Sequence, residues 1–487
     1  MNNQNDNTPL FNAIVKYIDQ NPSYFRIPGH RGAKGISQKW VDMVGENIFK
    51  FDLTETPYLD DLHNPSGAIA QAQNLAKDVF GSDKTYFLIN GTTCGNEAMV
   101  ASTALEGDEI LIPRNAHKSV LMGLIISGAT PKYIMPKISH EWGVHGGIDH
   151  AEVKLFLENN PKCKAVFIVS PSYYGFCSDI KGLAEICHNK NIPLIVDEAH
   201  GAHCYFSEKL PDGAITAGAD ICSQSIHKVT GSLTQSSMLH VRSDRINHAL
   251  LEANLHIVQS TSPSYLLMTS LDLARHELAM HGEELIANAI ELADYARQEI
   301  HSIEGITYIG EEMIGTNAIA SFDRTRLVIS AKDLGITGFD LKSMLFNVFN
   351  IDMELSDYLN VLAIISYANT RKDIDNMLAA LKVISKEYSK GNPIRNEIHL
   401  PSIPPYALSP RQAHFHKKRT IAWKDAKGCI AGEPIAPYPP GIPVIYPGEL
   451  ITDEIWNYLE QYRRLGRHIQ GPADPKLEQY NIIDQKI

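Results

Sequence analysis

A lysine set directly after an apolar run is a candidate for amine chemistry, and the chain carries Ser223-Gln-Ser225-Ile-His227-Lys228 at the end of the β-like run Ile221–Ser223. A desolvated ε-amine can form a Schiff base with a carbonyl; for a lysine taken singly, a solvated surface side chain is the plainer reading. A second run, Leu194-Ile-Val-Asp197-Glu198-Ala199-His200-Gly201, ends in acids. Ligands of open α/β sheets bind outside the carboxyl ends of the strands, so Asp197 stands where chemistry is expected. A helix cap or turn former is its alternative. His200-Gly-Ala-His203 has two imidazoles at close spacing, but a metal site needs a third or fourth ligand and none is evident.

Two further segments follow apolar runs. Asn90-Gly91-Thr92-Thr93-Cys94-Gly95-Asn96 offers hydroxyls and free N–H groups at a helix start, which suits a phosphate, or else forms a turn with a threonine cap. It matches neither the P-loop nor the G-x-G-x-x-G pattern, so a nucleotide is not implied. Arg114-Asn115-Ala116-His117-Lys118-Ser119 carries a histidine able to stack on a planar group or to serve as a buried structural residue. The four segments together supply a phosphate cradle, a stacking ring, a strand-end acid and an amine. Those are the parts that pyridoxal 5'-phosphate requires.

Elements that place these residues on one sheet are legible in the pattern. From about Ala68, apolar β-like runs alternate with helical ones: Thr85–Ile89, Glu109–Ile112, Ala165–Ser170, Pro193–Asp197, Ile221–Ser223 and Met238–Val241, with helices such as Val153–Leu157 and Leu183–His188 between. Alternation of this kind predicts an α/β fold with a mainly parallel sheet. An amphipathic helix runs from near Pro9 to Asn21-Pro22, and Tyr265–Ile300 reads as a long helix leaving the first domain. A second, smaller α/β pattern follows, with strands at Arg326–Ser330, Ile351–Glu354 and Val361–Ser366 and helices at Phe339–Phe349 and Ile374–Tyr388. Beyond Asn392, prolines 401, 404, 405, 410, 437, 439, 440, 443 and 447 predict a turn-rich tail that wraps rather than packs as helices. The expected division is an N-terminal arm (1–67), a large domain (68–270), a small domain (271–392) and a C-terminal domain (393–487).

Composition bounds the class. Hydrophobic residues at 44% exclude a largely disordered chain, and 44 basic against 56 acidic residues leave −12, which argues against nucleic-acid or anionic-membrane binding. No apolar run reaches the roughly 18 residues of a membrane span; Leu121–Ala129 is too short. Met1–Pro9 lacks a signal pattern, and seven cysteines without a CxxC pair predict neither a disulfide framework nor a zinc ribbon. A cytoplasmic protein is expected.

In its motifs the chain resembles the bacterial ornithine/lysine/arginine decarboxylases of the aminotransferase-like pyridoxal phosphate fold, and most of all their short form without the N-terminal wing domain. The matching stretches are Pro28-Gly-His-Arg-Gly32, Leu59-Asp-Asp-Leu-His63 with Pro65-Ser-Gly67, Asn90–Thr93, Arg114–Ser119, Val196–His200, Ser225–Lys228, Thr261-Ser-Pro-Ser-Tyr265, Tyr438-Pro-Pro-Gly-Ile-Pro443 and Pro447-Gly-Glu449. The resemblance implies that Lys228 holds the cofactor, Asp197 pairs with its ring nitrogen, His117 stacks on one face and Ala199 supports the other. It implies that Thr92, Thr93, Ser225 and His227 hold the phosphate or line the site beside it, while Thr261 reaches the phosphate of the neighbouring subunit. Glu354 would meet the basic end of the substrate. His30, Asp60 and Asp61 would belong to an arm near the partner's site, with His200, where larger relatives carry tryptophan, on the substrate side. Ser172-Tyr173-Tyr174-Gly175 also departs from the family's common Pro-Thr-Tyr pattern. The implied reaction is α-decarboxylation of L-arginine to agmatine, with lysine and ornithine as alternatives, in a homodimer or larger assembly. His227 or Lys228 would return the proton to Cα. An aminotransferase of the same fold would instead need an arginine for the substrate carboxylate, for which Arg371 is the candidate.

Overall fold

The computed structural model describes residues 5–56, 58–388, 391–394, 401–437, 443–464 and 469–484. All six apolar runs of the first domain form strands of one seven-stranded sheet. Its spatial order is Lys84–Leu88, Ser237–Val241, Ile221–Gln224, Leu194–Asp197, Cys163–Val169, Glu109–Pro113 and Thr130–Ile134. Six of these run in the same direction, and Ser237–Val241 is antiparallel to both of its neighbours. This is the mainly parallel α/β fold that the alternation predicts. Thr130–Ile134, absent from the sequence reading, tolerates Pro131 because it is an edge strand with one side free of ladder bonds.

Both faces of the sheet are covered, which is why its central strands are continuous apolar runs. The helices Gly91–Thr103, Lys118–Ser127 and His248–Val258 pack on one face, and His150–Asn159 and Ile180–His188 on the other. Gly95 lets the first of these lie against the sheet: a Cβ there would fall 2.1 Å from Ser223 Oγ. The helix Tyr265–Ile300, capped by Ser264, belongs to two cores. Its Met268, Leu271 and Leu278 join the arm residues Leu10, Ile14 and Leu59, while Leu292, Ala296 and Ile300 join the small domain.

In that small domain a four-stranded antiparallel sheet runs in the order Thr307–Ile309, Arg326–Ser330, Asn360–Ile364, Leu355–Ser356. The strand expected at Ile351–Glu354 does not form. The preceding helix ends at Asn350 in the left-handed region, and Ile351 N–H bonds back to Leu345 O. The first bond to the next strand is therefore from Glu354 N–H to Leu362 O, and the paired strand covers only Leu355–Ser356. The C-terminal expectation also needs correction, because the tail packs two helices, Pro410–Phe415 and Asp453–Arg464. Pro410 sits at a helix start behind a Ser409–Gln412 capping box, where proline is tolerated. In the second helix Ile455, Tyr458 and Leu459 form an apolar stripe against Trp423. Tyr438–Ile442 of the proline motif lies outside the described residues. Among the described residues no helix is long and apolar enough to cross a membrane.

Candidate active site

Loops after five strands close around one cavity of about 540 Å³. Its wall takes Thr92 and Thr93 from the first βα loop, His117 from the second, Tyr173 and Tyr174 from the third, Asp197, Ala199 and His200 from the fourth, and Ser225, His227 and Lys228 from the fifth. Nine of the expected site residues therefore share one space. It lies at the carboxyl ends of the parallel strands, where the fold class puts ligands.

Asp197 is buried, with a donor on each oxygen: Asn96 Nδ2 at 2.8 Å on Oδ2 and the Ala199 N–H at 3.1 Å on Oδ1. Asn96 also donates to Ser119 Oγ at 3.0 Å. Sequence reasoning quoted Asn96 without giving it a role; its place one helical turn after Thr92, on the sheet-facing side, was the available signal. His117 caps the helix Lys118–Ser127, its Nδ1 accepting from the Ser119 N–H and lying 2.9 Å from Ser119 Oγ. Burial lowers its pKa against the opposing pull of Asp197, which favours an uncharged ring. At the other end Thr92 Oγ1 and Ser225 Oγ are 2.5 Å apart. His227 donates from Nδ1 to Ser236 O at 2.8 Å, and burial lowers its pKa as well.

Lys228 follows Ser225 in the short helix Ile226–Val229. Its Nζ is 3.0 Å from His200 Nε2 and 5.2 Å from the centre of the Tyr173 ring. Burial lowers its pKa and Arg326 adds to that, while Asp197 and Glu354 oppose it. An amine so placed is a stronger nucleophile near neutrality than a solvated lysine. Arg326, which the sequence reading passed over as a strand residue, lies behind His200 with its Nη2 3.1 Å from His200 O. His145, equally unremarked, lines the cavity with Nδ1 unpaired, and burial lowers its pKa to about 4.

The remaining expected residues stand apart from this cavity. Glu354 is exposed beside a neighbouring cavity, though its charge still reaches Lys228. Thr261 is exposed in the turn before Ser264. His30 Nε2 is 3.1 Å from Asp52 Oδ2. The Asp60 carboxylate is fully engaged, accepting from the N–H groups of Asp61, Ser66, Gly67, Ile69 and Ala70, so it caps the helix Ala68–Phe80. Asp61 is exposed and accepts from the His63 N–H. His203 pairs with Asp323 at 3.0 Å rather than with His200, and Arg371 bonds Asp375 on the surface over the Tyr295 ring. The lining fits a planar phosphorylated aldehyde: an amine for the carbonyl, a carboxylate fixed on both oxygens, a flat ring, and a hydroxyl pair at a helix start.

Over residues 8–373 the sequence matches the family model for the Orn/Lys/Arg decarboxylase major domain, and over residues 396–474 that for the C-terminal domain. It is 39% identical over 482 residues to an arginine decarboxylase of Halalkalibacterium halodurans, covering 99% of this chain and 98% of that one. It is 40% identical over 481 residues to an arginine decarboxylase of Bacillus subtilis, covering 98% of each. A lysine decarboxylase of Francisella novicida, 23% identical, superposes with a TM-score of 0.86 over 98% of this chain and 81% of that one.

Proposed function

Because the chain belongs to the Orn/Lys/Arg decarboxylase family, we propose that it binds pyridoxal 5'-phosphate and decarboxylates L-arginine to agmatine and carbon dioxide, a step toward polyamines, in the cytoplasm. The observation that carries this reading is Lys228 and Asp197 on one cavity, in a chain nearly 40% identical end to end to arginine decarboxylases.

When bound, the cofactor supplies a protonated ring that withdraws the electron pair left as carbon dioxide departs. Asp197 holds the proton on the ring nitrogen, which its fixed carboxylate suits. Lys228 would hold the cofactor through its amine. His117 would support one face of the cofactor and Ala199 the other. Thr92, Thr93, Ser225 and His227 would hold the phosphate or line the site beside it. His227 or Lys228 places the proton at Cα where the carboxylate has left. Glu354 draws the guanidinium, with His200 on the same side of the substrate.

The reading includes a two-fold assembly with shared sites, the arms carrying His30 and Asp61, with Asp60 shaping the arm as a cap, and Thr261 reaching across to the partner's cofactor phosphate. Its support is the segment Gln38–Val44, a helix with no buried residue, which exposes Trp40, Met43 and Val44, and Phe25 earlier in the arm at 91% exposure. Apolar side chains left largely exposed on a helix that buries none of its residues fit a subunit interface. A substrate panel of arginine, lysine and ornithine, followed by amine product and carbon dioxide, tests the reaction; cadaverine from lysine as the main product would replace arginine. For the shared site, mixing inactive Lys228→Ala chains with inactive chains truncated before Gly32 is expected to restore part of the activity. Confirmed mixed dimers that stay inactive would mean that each subunit builds its own site.

A further inference from the structure

Behind the amine of Lys228 runs a buried chain of polar groups that ends in the small domain. Arg326 opens the strand Arg326–Ser330 and is wholly buried. Its Nη2 donates to His200 O at 3.1 Å and lies 3.5 Å from His200 Nδ1. Its Nε is 3.4 Å from Asp323 Oδ2, and Asp323 also takes His203 Nε2 at 3.0 Å and the Thr325 hydroxyl at 2.6 Å. Gly175 is what allows this approach, since a Cβ there would stand 2.7 Å from Arg326 Cγ.

A guanidinium has donors only, so the His200 nitrogen that faces it must present a lone pair. In a neutral imidazole the proton then sits on the other nitrogen, Nε2, which is 3.0 Å from Lys228 Nζ. An ammonium there would set N–H against N–H. We propose that Arg326 is a positioning residue: it fixes the tautomer of His200, so that His200 Nε2–H donates to Lys228 Nζ and holds that nitrogen as an uncharged amine. The groups facing this pair agree. Burial keeps His200 neutral, and Lys228, Arg326, His203 and His117 all oppose its protonation. Around Lys228, Arg326 favours the free amine while Asp197 and Glu354 oppose it. Tyr173 packs on the His200 ring at 4.2 Å between centres, which restrains its rotation.

The inference rests on Lys228 as the cofactor-bearing amine, and its test uses cofactor-free enzyme, so it reads the same whichever basic amino acid is the substrate. Competitive acylation with acetic anhydride across pH, quantified at Lys228 by mass spectrometry, yields the apparent pKa of the amine. His200→Phe removes the donor and is expected to raise that value by about one unit, roughly a tenfold loss of free amine at neutral pH. Arg326→Met removes a charge and releases the tautomer, and should raise it further. In the double variant the shift should fall short of the sum of the two single shifts by about one unit or more, because one lock has been removed twice. Additive shifts would mean that Arg326 acts by charge alone and would overturn the proposal. Should Arg326→Met not fold, solid-state nitrogen-15 spectra of the unaltered enzyme decide. His200, identified by the signal lost in His200→Phe, must carry its proton on Nε2, and a bare Nε2 refutes the assignment.

Discussion

Glu449→Gln tests how the C-terminal region is fastened to the site. Arg114 follows the strand Glu109–Pro113 and stands three residues before His117. It donates to Glu449 Oε1 at 2.5 Å and Oε2 at 2.7 Å, and to Val444 O at 2.7 Å. The Tyr133 and Tyr446 rings flank it with centres 4.7 and 4.6 Å away, and both charged side chains are almost fully buried. The substitution keeps the shape of Glu449 but leaves a buried cation without its counter-charge, which costs about 3–5 kcal/mol when one partner of such a pair is removed. The Val444 carbonyl and the two rings remain, so about 3 kcal/mol is expected. If all 487 residues melted together, that energy would lower Tm by only about 3 °C; a C-terminal region of about 95 residues melting alone would lose about 15 °C. The region has its own apolar core around Trp423, Ile455 and Leu459, so the second outcome is expected. Differential scanning calorimetry should split off an early transition, and limited proteolysis should cut first beyond residue 393. Arg114→Met with Glu449→Leu, which buries no charge, should recover much of the loss. A single transition moved by less than about 1 °C, with an unchanged digestion pattern, would refute the fastening role.

Lys228→Ala is expected to abolish both turnover and the visible absorption of attached cofactor; a variant that keeps both would remove Lys228 from its role. Asp197→Asn should keep some cofactor and lose most of kcat, each tenfold loss being about 1.4 kcal/mol of barrier, and an unchanged kcat would exclude the acid. Glu354→Gln should raise KM for arginine more than it lowers cofactor content, since the contact is to the far end of the substrate; the reverse pattern would make Glu354 structural. His240 is fully buried between Thr85 Oγ1 and Gln224 Oε1, and burial lowers its pKa to about 3. Above its unfolded value of about 6.5 its titration does not change stability with pH. Between there and the folded value the unfolded chain alone gains a proton, so stability falls by about 1.4 kcal/mol per pH unit on acidification. His240→Gln should be less stable at pH 7.5 yet flatter between pH 6.5 and 5 in urea unfolding midpoints; parallel curves would deny His240 that share.

The strands of the large sheet were legible because burial on both faces turns them into uninterrupted apolar runs, and the residues just past their ends were legible for the same reason. Asp197 and Lys228 stand within a few residues of a run that could not be read otherwise. Legibility failed where structure is set by the end of a preceding element. Asn350 in the left-handed region delays the strand after it, and Ser409 with Gln412 turns a proline into a helix start. It failed again where a side chain acts from another domain. Arg326 lies 98 residues beyond Lys228 in the chain and reads as one more residue at a strand edge.

Within the site, the two kinds of residue do different work. Asp197, His117 and Thr92 depend on the large sheet and its helix starts, so the end of the cavity proposed for the cofactor is built around one sheet. His200 depends on a cation from the small sheet, and Glu354 stands beside that sheet's edge strand. Under the proposed function, the state of the Lys228 amine and the contact to the substrate's basic end would thus depend on residues of the small sheet, whereas the contacts to the cofactor ring and phosphate would not. A substitution that loosens Arg326 should therefore change Lys228 and substrate selection before it changes cofactor retention, and one that loosens Asn96 should do the opposite.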